Sequence, residues 1–225
     1  MGIVRGLAGI NKQMDSQGGG GDRVKAKFFK LKDGESARVR FLQELDPDSP
    51  HYNAEVGLGF LAIEHQAPGN FMKRCLCTIE EEGRCFGCEQ YNAGEKGFRA
   101  KMKLYINALV TLPNGDKEVQ VVSQGMGPKS VTPALIEAAG DYGSISNREF
   151  KVKRQGAGQT DTSYTLIPQD KDDSPYDVAQ HEMFDLEKVV FQVPYDEQAR
   201  YFAGQTGPGA PALAGAGSGG DAEVW

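Results

Sequence analysis

Four cysteines and a histidine fall within 24 residues of the chain. Cys85 and Cys88 form a Cys-x-x-Cys pair, whose tight turn lets both thiolates contact one ion at roughly 2.3 Å. Cys77 can reach the same ion across the loop that follows it. A tetrahedral zinc site needs a fourth ligand, and the spacing rules allow either His65 or Cys75. In an extended chain Cys75 and Cys77 point the same way, so steric access excludes neither candidate.

Other uses of these cysteines fit the sequence less well. Disulfides require an oxidising compartment, whereas the first residues lack the apolar run of a signal peptide, so we expect a cytoplasmic protein. A zinc deaminase has a His-x-Glu motif and a Pro-Cys-x-x-Cys motif, but Arg84 precedes Cys85 and His-x-Glu does not occur. Zinc with four protein ligands has no position open for water. We therefore predict one structural Zn²⁺ and a protein that is not an enzyme.

The elements that must position this cluster are mainly strands. The clearest lies at 101–112, where Met102, Leu104, Ile106, Ala108, Val110 and Leu112 alternate onto one face that must be buried. Segments 24–32 and 36–43 are predicted to form a hairpin at Asp33-Gly34, and 117–124, 148–154 and 162–168 are further strands. One helix is predicted between an N-cap at Thr132 and Gly140, and another between Pro194 and Gly204.

These patterns predict a mainly β fold. We expect an OB-fold-like barrel of five to six strands, with an inserted structural zinc subdomain and one or two short helices. Residues 1–22 are predicted as a flexible arm and 23–203 as the core, with the zinc subdomain at about 60–98. Residues 204–225 are predicted as a disordered Gly/Ala/Pro-rich tail with an acidic, aromatic tip. No run of 18 apolar residues occurs, which argues against a membrane span.

Charge and aromatic residues indicate a nucleic-acid surface. The net charge is −6, but residues 1–169 carry 22 Lys+Arg against 20 Asp+Glu, while residues 170–225 carry 3 against 11. Binding of single strands requires cations for phosphates and aromatic planes for bases. Tyr105 is the favoured aromatic, because strand alternation puts it on the polar face. The candidate DNA-binding residues are Arg38, Arg40, Lys73, Arg74, Arg84, Phe86, Lys101, Lys103, Tyr105, Lys151, Lys153, Arg154 and Tyr164.

Several segments occur in a specific order and spacing: FFKLKDGESARVRFL, the set His65, Cys77, Cys85 and Cys88, then KLYINALV, GPKSVTPALIEA and REFKVKRQGAGQTDTSYTLIP. Through them, residues from about Lys27 to Tyr201 resemble the bacteriophage zinc-containing single-stranded DNA-binding proteins, also called helix-destabilising proteins. The resemblance implies an OB-fold, zinc bound by that His-Cys set, and a base-contacting role for Tyr105. It also implies coating of single-stranded DNA during phage DNA replication, recombination and repair.

The resemblance further implies certain partners. Self-association along DNA would use a basic N-terminal arm, although only Arg5 and Lys12 are basic there, so we expect a monomer or a chain that self-associates on single-stranded DNA. The acidic region Asp170–Glu197 and the final DAEVW would recruit replication or recombination proteins, in the cytoplasm of an infected bacterial host. The alternative is a zinc-ribbon-type transcription or adaptor module, for which the cysteine cluster alone would suffice.

Overall fold

The structure, a computed structural model, describes residues 26–158, 161–172 and 181–204. The predictions for the N-terminal arm and for the tail from residue 205 onward lie outside these ranges. The described strands are β1 (Ser36–Phe41), β2 (Phe60–Ala67), β3 (Asn70–Leu76), β4 (Lys101–Thr111), β5 (Lys117–Gly125), β6 (Arg148–Gln155) and β7 (Ser163–Lys171). The helices are α1 (Ile79–Glu82), α2 (Phe86–Asn92), α3 (Val131–Tyr142), α4 (Leu186–Val189) and α5 (Tyr195–Phe202), with a 3-10 turn at Lys96–Phe98.

The seven strands form one sheet in the order β3-β2-β4-β1-β6-β7, and β5 also pairs with β4. The pairs β1–β4, β1–β6, β2–β3, β4–β5 and β6–β7 are antiparallel. The prediction of a mainly β fold is therefore confirmed. Among the described strands no pairing closes the sheet into a barrel, so the OB-fold stays a prediction.

The core of this sheet is built by its alternating apolar residues. Leu104, Ile106, Ala108 and Val110 of β4 are buried there, as the pattern predicts. Two predicted members are exceptions: Met102 is 42 % exposed at the start of the strand, and Leu112 is half-buried just after its end. The other members of the core cluster are Phe29, Leu31, Val39, Phe41, Val122, Val131, Leu135, Ala138, Ile145, Phe150 and Val152.

The opposite face of β4 is also covered, and the prediction of an open polar face there is wrong. Tyr105 is 1 % exposed, and Lys103 and Asn107 are buried beside it. The Phe60 ring stacks on Tyr105 with 6.1 Å between ring centroids. Asn107 donates its Nδ2 to the Phe184 carbonyl at 2.9 Å and accepts from the Phe184 N–H at 3.1 Å. A segment distant in sequence thus covers the face that alternation alone would leave in solvent.

The predicted hairpin at Asp33-Gly34 is wrong. Segment 26–32 makes a single bridge, from Phe28 to Val121 of β5, and β1 pairs with β4 and β6 instead. The Phe29 N–H donates to the Val121 carbonyl at 2.9 Å. The apolar alternation here reflects burial of Phe29 and Leu31 in the core rather than pairing with β1.

Both predicted helices are present, but the bounds predicted for the first are wrong. α3 begins after Ser130 and ends at Gly143, whose φ is 67°, so the bounds predicted from Thr132 and Gly140 are wrong. Gly143 adopts the left-handed conformation that commonly ends a helix, whereas Gly140 lies inside α3. α5 follows Pro194 as predicted. Residues 46–98, where the sequence patterns predict neither strand nor helix, contain β2, β3, α1 and α2.

The described residues form two compact units. One, which we call the cysteine unit, contains residues 64–100 and 190–204. The other, the sheet unit, contains residues 26–63 together with the described part of 101–189. In the ranges that the structure describes, no helix has the length and apolar character needed to cross a membrane.

Candidate metal centre

Four side chains of the cysteine unit converge on one point. The ligand atoms of His65, Cys77, Cys85 and Cys88 all lie within 4.8 Å of one another. The Sγ atoms of Cys77 and Cys88 are 3.6 Å apart, and the Cys88 Sγ lies 3.3 Å from the His65 Nε2. Tetrahedral bonds of ~2.0–2.3 Å place neighbouring ligand atoms about 3.3–3.8 Å apart. The cluster therefore has the dimensions and the donor types to hold a metal ion.

Local structure brings each ligand to this point. His65 lies in β2, and Cys77 follows the last residue of β3. Cys85 is the N-cap residue of α2 with an extended backbone, φ −154° and ψ 121°, and Cys88 lies in the first turn of that helix. The change from extended to helical backbone between the two cysteines turns both sulfurs toward the same side, as a Cys-x-x-Cys metal pair requires.

The imidazole of His65 is oriented by a backbone carbonyl. Its ring is buried, and the Nδ1 donates to the Phe98 oxygen at 2.6 Å. With an ion bound, this bond would keep the proton on Nδ1 and leave the lone pair of Nε2 for the ion. A carbonyl partner on the second ring nitrogen is the usual support of a metal-binding histidine.

The thiols of the cluster differ in acidity. Burial opposes ionisation of Cys85, but the hydrogen bond with His65 and the N–H groups of Cys88 and Thr78 outweigh it and lower the Cys85 pKa to about 6. Burial, followed by the hydrogen bond with Cys77, raises the Cys88 pKa to about 12. Negative charge is thus accepted at one sulfur and resisted at its neighbours. A divalent cation between them would relieve that repulsion.

Cys75, the alternative fourth ligand, lies outside the cluster. It is 1 % exposed and packs in an apolar group with Ala67, Phe98, Val193, Tyr201 and Phe202. Burial raises the pKa of its thiol far above the usual range, so the side chain stays protonated there. The structure therefore groups His65, rather than Cys75, with the three remaining cysteines.

Sequence reasoning missed the role of Gly87, between the two cysteines of α2. A Cβ atom at this position would lie 2.3 Å from the Cγ of His65. Only glycine allows the helix to approach the imidazole this closely. The glycine inside the Cys-x-x-Cys pair was a visible signal, but its partner His65 could be identified only from the fold.

The candidate DNA-binding residues fall into three groups by exposure. Arg38, Arg84 and Lys151 are exposed. Arg74, Phe86, Lys101, Lys153 and Tyr164 are half-buried, and Arg40, Lys73, Lys103, Tyr105 and Arg154 are buried. The five buried residues therefore do not line an open surface, and contact of the thirteen residues with DNA stays untested.

Several of these cations stabilise the fold locally. Arg40 donates its Nε to the Ser146 carbonyl at 2.9 Å and its Nη1 to Asp172 at 3.1 Å. Arg154 donates its Nη1 to the Leu31 carbonyl at 2.6 Å. Buried guanidinium groups need such acceptors, because an unpaired buried charge is costly.

Three side chains of the cysteine unit are similarly engaged. The Lys73 ammonium lies 4.7 Å from the centroid of the Tyr201 ring. The Arg84 guanidinium lies 4.0 Å from the centroid of Tyr195 and also binds Glu89. The Phe86 ring packs on Phe202, with 6.0 Å between centroids, within the apolar group of this unit. These contacts explain why sequence alone overestimated the open basic and aromatic surface.

The structure does bring three predicted cations together. In the pairing of β1 with β6, Arg38 lies opposite Lys151 and Ser36 lies opposite Lys153. Residues directly opposite each other share a face, and so do alternate residues of one strand. Arg38, Lys151 and Lys153 therefore form a row on the face opposite the core, which we call the β1–β6 cation row. Glu149 is close to it, with an oxygen 3.6 Å from the Arg38 Nη1.

Comparison of the chain with protein-family models, with curated proteins and with solved structures gives no match.

Proposed function

We propose that the protein binds single-stranded DNA without catalysis and largely without sequence preference. In this role it would coat and protect the strand during DNA replication, recombination and repair. The observation that carries the proposal is the convergence of His65, Cys77, Cys85 and Cys88, because this is the ligand set that the resemblance to phage single-stranded DNA-binding proteins implies. The ion we propose is one structural Zn²⁺, since three thiolates and an imidazole are typical zinc ligands.

The β1–β6 cation row supports the mode of binding. Arg38 is 63 % exposed, and Lys151 is exposed opposite it. Cations spaced along a sheet face can follow the phosphates of one strand. Each phosphate neutralised adds roughly 0.7 to the slope of log affinity against log salt for single strands. The buried Tyr105 is not part of this surface, so the proposal does not depend on base stacking there.

Further copies of the chain along the DNA, and replication or recombination proteins, are the proposed protein partners. The cytoplasm of a phage-infected bacterium is the proposed location. These follow from the family resemblance alone.

The test is a fluorescence-anisotropy titration of labelled oligo-dT and of a duplex of equal length with metal-replete protein. We expect clear preference for the single strand and unchanged oligonucleotide length after incubation. The double variant Arg38→Ala/Lys151→Ala should weaken binding at least about tenfold and reduce the salt slope by about 1.4, which corresponds to two phosphate contacts.

Lys188→Ala is the matched control, because the Lys188 side chain is equally exposed at 63 % but lies on α4, outside the cation row. It should bind like the unaltered protein. Equal affinity of the double variant and the control would refute the role of the row. Tight binding of duplex with sequence preference would support a zinc-ribbon module instead.

A further inference from the structure

The side chain of Gln198 in α5 makes three hydrogen bonds inside the cysteine unit. It is fully buried, and its amide is satisfied on both sides. The Oε1 accepts from the Phe86 N–H at 2.9 Å, and the Nε2 donates to the Thr78 Oγ1 at 3.0 Å and to the Val193 carbonyl at 2.9 Å. A residue more than 100 positions away in sequence thus contacts the loop that carries the cysteine ligands.

The bond to Phe86 holds the first turn of α2. The first N–H groups of a helix have no partner within the helix and need an external acceptor. Gln198 supplies the acceptor for the Phe86 N–H, the first N–H of α2, from α5. Because Cys85 and Cys88 flank this turn, its backbone sets where both sulfurs lie.

The same oxygen also lies 3.6 Å from the Cys85 Sγ. A metal-bound cysteine is a thiolate and has no proton to donate. The Phe86 N–H bond is therefore the contact to Gln198 that persists once an ion is bound.

The bond to Thr78 extends the network to the other side of the loop. The Thr78 Oγ1 accepts from Gln198 and donates to the Arg84 carbonyl at 2.6 Å. Thr78 follows the ligand Cys77 directly, and Arg84 precedes the ligand Cys85. One buried amide thereby connects the residues next to two of the four proposed ligands, Cys77 and Cys85.

We propose that Gln198 is a positioning residue of the metal centre, which couples docking of α5 to metal binding. The inference rests on the proposed structural metal. Partners outside the ligand shell that orient the ligands typically change metal affinity by roughly 10–100-fold when removed. Gln198 would act in this way through the backbone of the ligand loop.

The test uses the full-length variant Gln198→Met, whose side chain has similar length but makes none of the three hydrogen bonds. Zinc affinity is measured by competition with a chromophoric chelator, and site geometry by the absorption spectrum of the Co²⁺-substituted protein. We expect a loss of zinc affinity of about 10–100-fold and altered ligand-field bands of the Co²⁺-substituted protein. Gln192→Met is the control, because Gln192 is exposed and binds Glu81 rather than α2; its affinity should stay within about twofold.

The zinc and cobalt measurements distinguish failure of the structural metal from failure of the positioning role of Gln198. If the unaltered protein binds no Zn²⁺ or Co²⁺, the structural metal itself is refuted, and this inference with it. If the unaltered protein binds the ion and Gln198→Met has the same affinity and spectrum, only the positioning role is refuted.

Should Gln198→Met fail to fold, Thr78 provides the second test. Thr78→Val removes the acceptor of the Gln198 Nε2 with little change in shape, whereas Thr78→Ser keeps the hydroxyl. We expect weakened zinc binding for Thr78→Val and recovery for Thr78→Ser. Equal zinc affinity of the two variants would overturn the proposal.

Discussion

Replacing Gly87 with alanine would place a methyl group against the ring of His65. The new Cβ would lie 2.3 Å from the His65 Cγ and 2.7 Å from its Cδ2. Ordinary carbon–carbon contact is about 3.5 Å, so the ring or the helix would have to move by about 1 Å. The His65 ring is buried and hydrogen-bonded to the Phe98 carbonyl, so it cannot move aside as the end of a flexible side chain could.

A metal site tolerates changes of only about 0.2 Å in its ligand distances. The required shift is several times larger, so we expect Gly87→Ala to lose at least about 100-fold in zinc affinity, beyond the range for outer-shell changes. Overpacking should also cost the metal-free protein about 1–3 kcal/mol of unfolding free energy. Zinc content by mass spectrometry under native conditions and chelator competition measure the first effect, and urea denaturation the second.

Gly140→Ala is the matched control, since a Cβ at this position in α3 would meet no atom within 4 Å. We expect unchanged zinc affinity and a gain of about 0.5–1 kcal/mol, because alanine is the better helix former. Zinc binding by Gly87→Ala equal to that of the Gly140→Ala control would refute the assignment of His65 as a ligand held against α2.

Three further outcomes are expected. His65→Ala should abolish stoichiometric zinc binding whereas Cys75→Ser should retain it; the reverse pattern in metal analysis would name Cys75 as the ligand. Removal of the ion by a strong chelator should speed hydrogen exchange in the cysteine unit, residues 64–100 and 190–204, more than in the sheet unit, because binding of the metal also stabilises the local fold. An equal increase in both units would contradict this. Glu44→Ala should lower the free energy of unfolding by roughly 3 kcal/mol in urea denaturation. The reason is that the buried Glu44 carboxylate accepts from the Ser144 hydroxyl at 2.6 Å and from the Ile145 N–H at 3.1 Å. A loss below about 1 kcal/mol would contradict that role.

The cysteine spacing predicted a metal cluster because thiolates close in sequence need only a tight turn to meet. It left the fourth ligand open between His65 and Cys75, because that choice depends on how β2 pairs with β3. In this pair the two residues lie directly opposite each other, His65 to Cys75. Although the two side chains share a face, His65 belongs to the ligand cluster and Cys75 to the apolar group, which no spacing rule distinguishes.

The strand β4 shows the same limit for the fold. Alternation correctly predicted the burial of Leu104, Ile106, Ala108 and Val110, since local periodicity determines which side chains share a face. It could not predict that Phe60 and Phe184 cover the other face, because such contacts join distant segments. The strands β2 and β3 were missed because polar residues, among them Glu64 and His65, are buried there and interrupt the apolar pattern.

The proposed function is tested most directly by titrating labelled oligo-dT with the unaltered, zinc-replete protein at several salt concentrations. We predict saturable binding whose log association constant falls linearly with log salt, by roughly 0.7 for each phosphate contacted. Three contacts from the β1–β6 cation row would give a slope of about −2 or steeper. Absence of any salt-dependent association with the oligonucleotide would contradict the account.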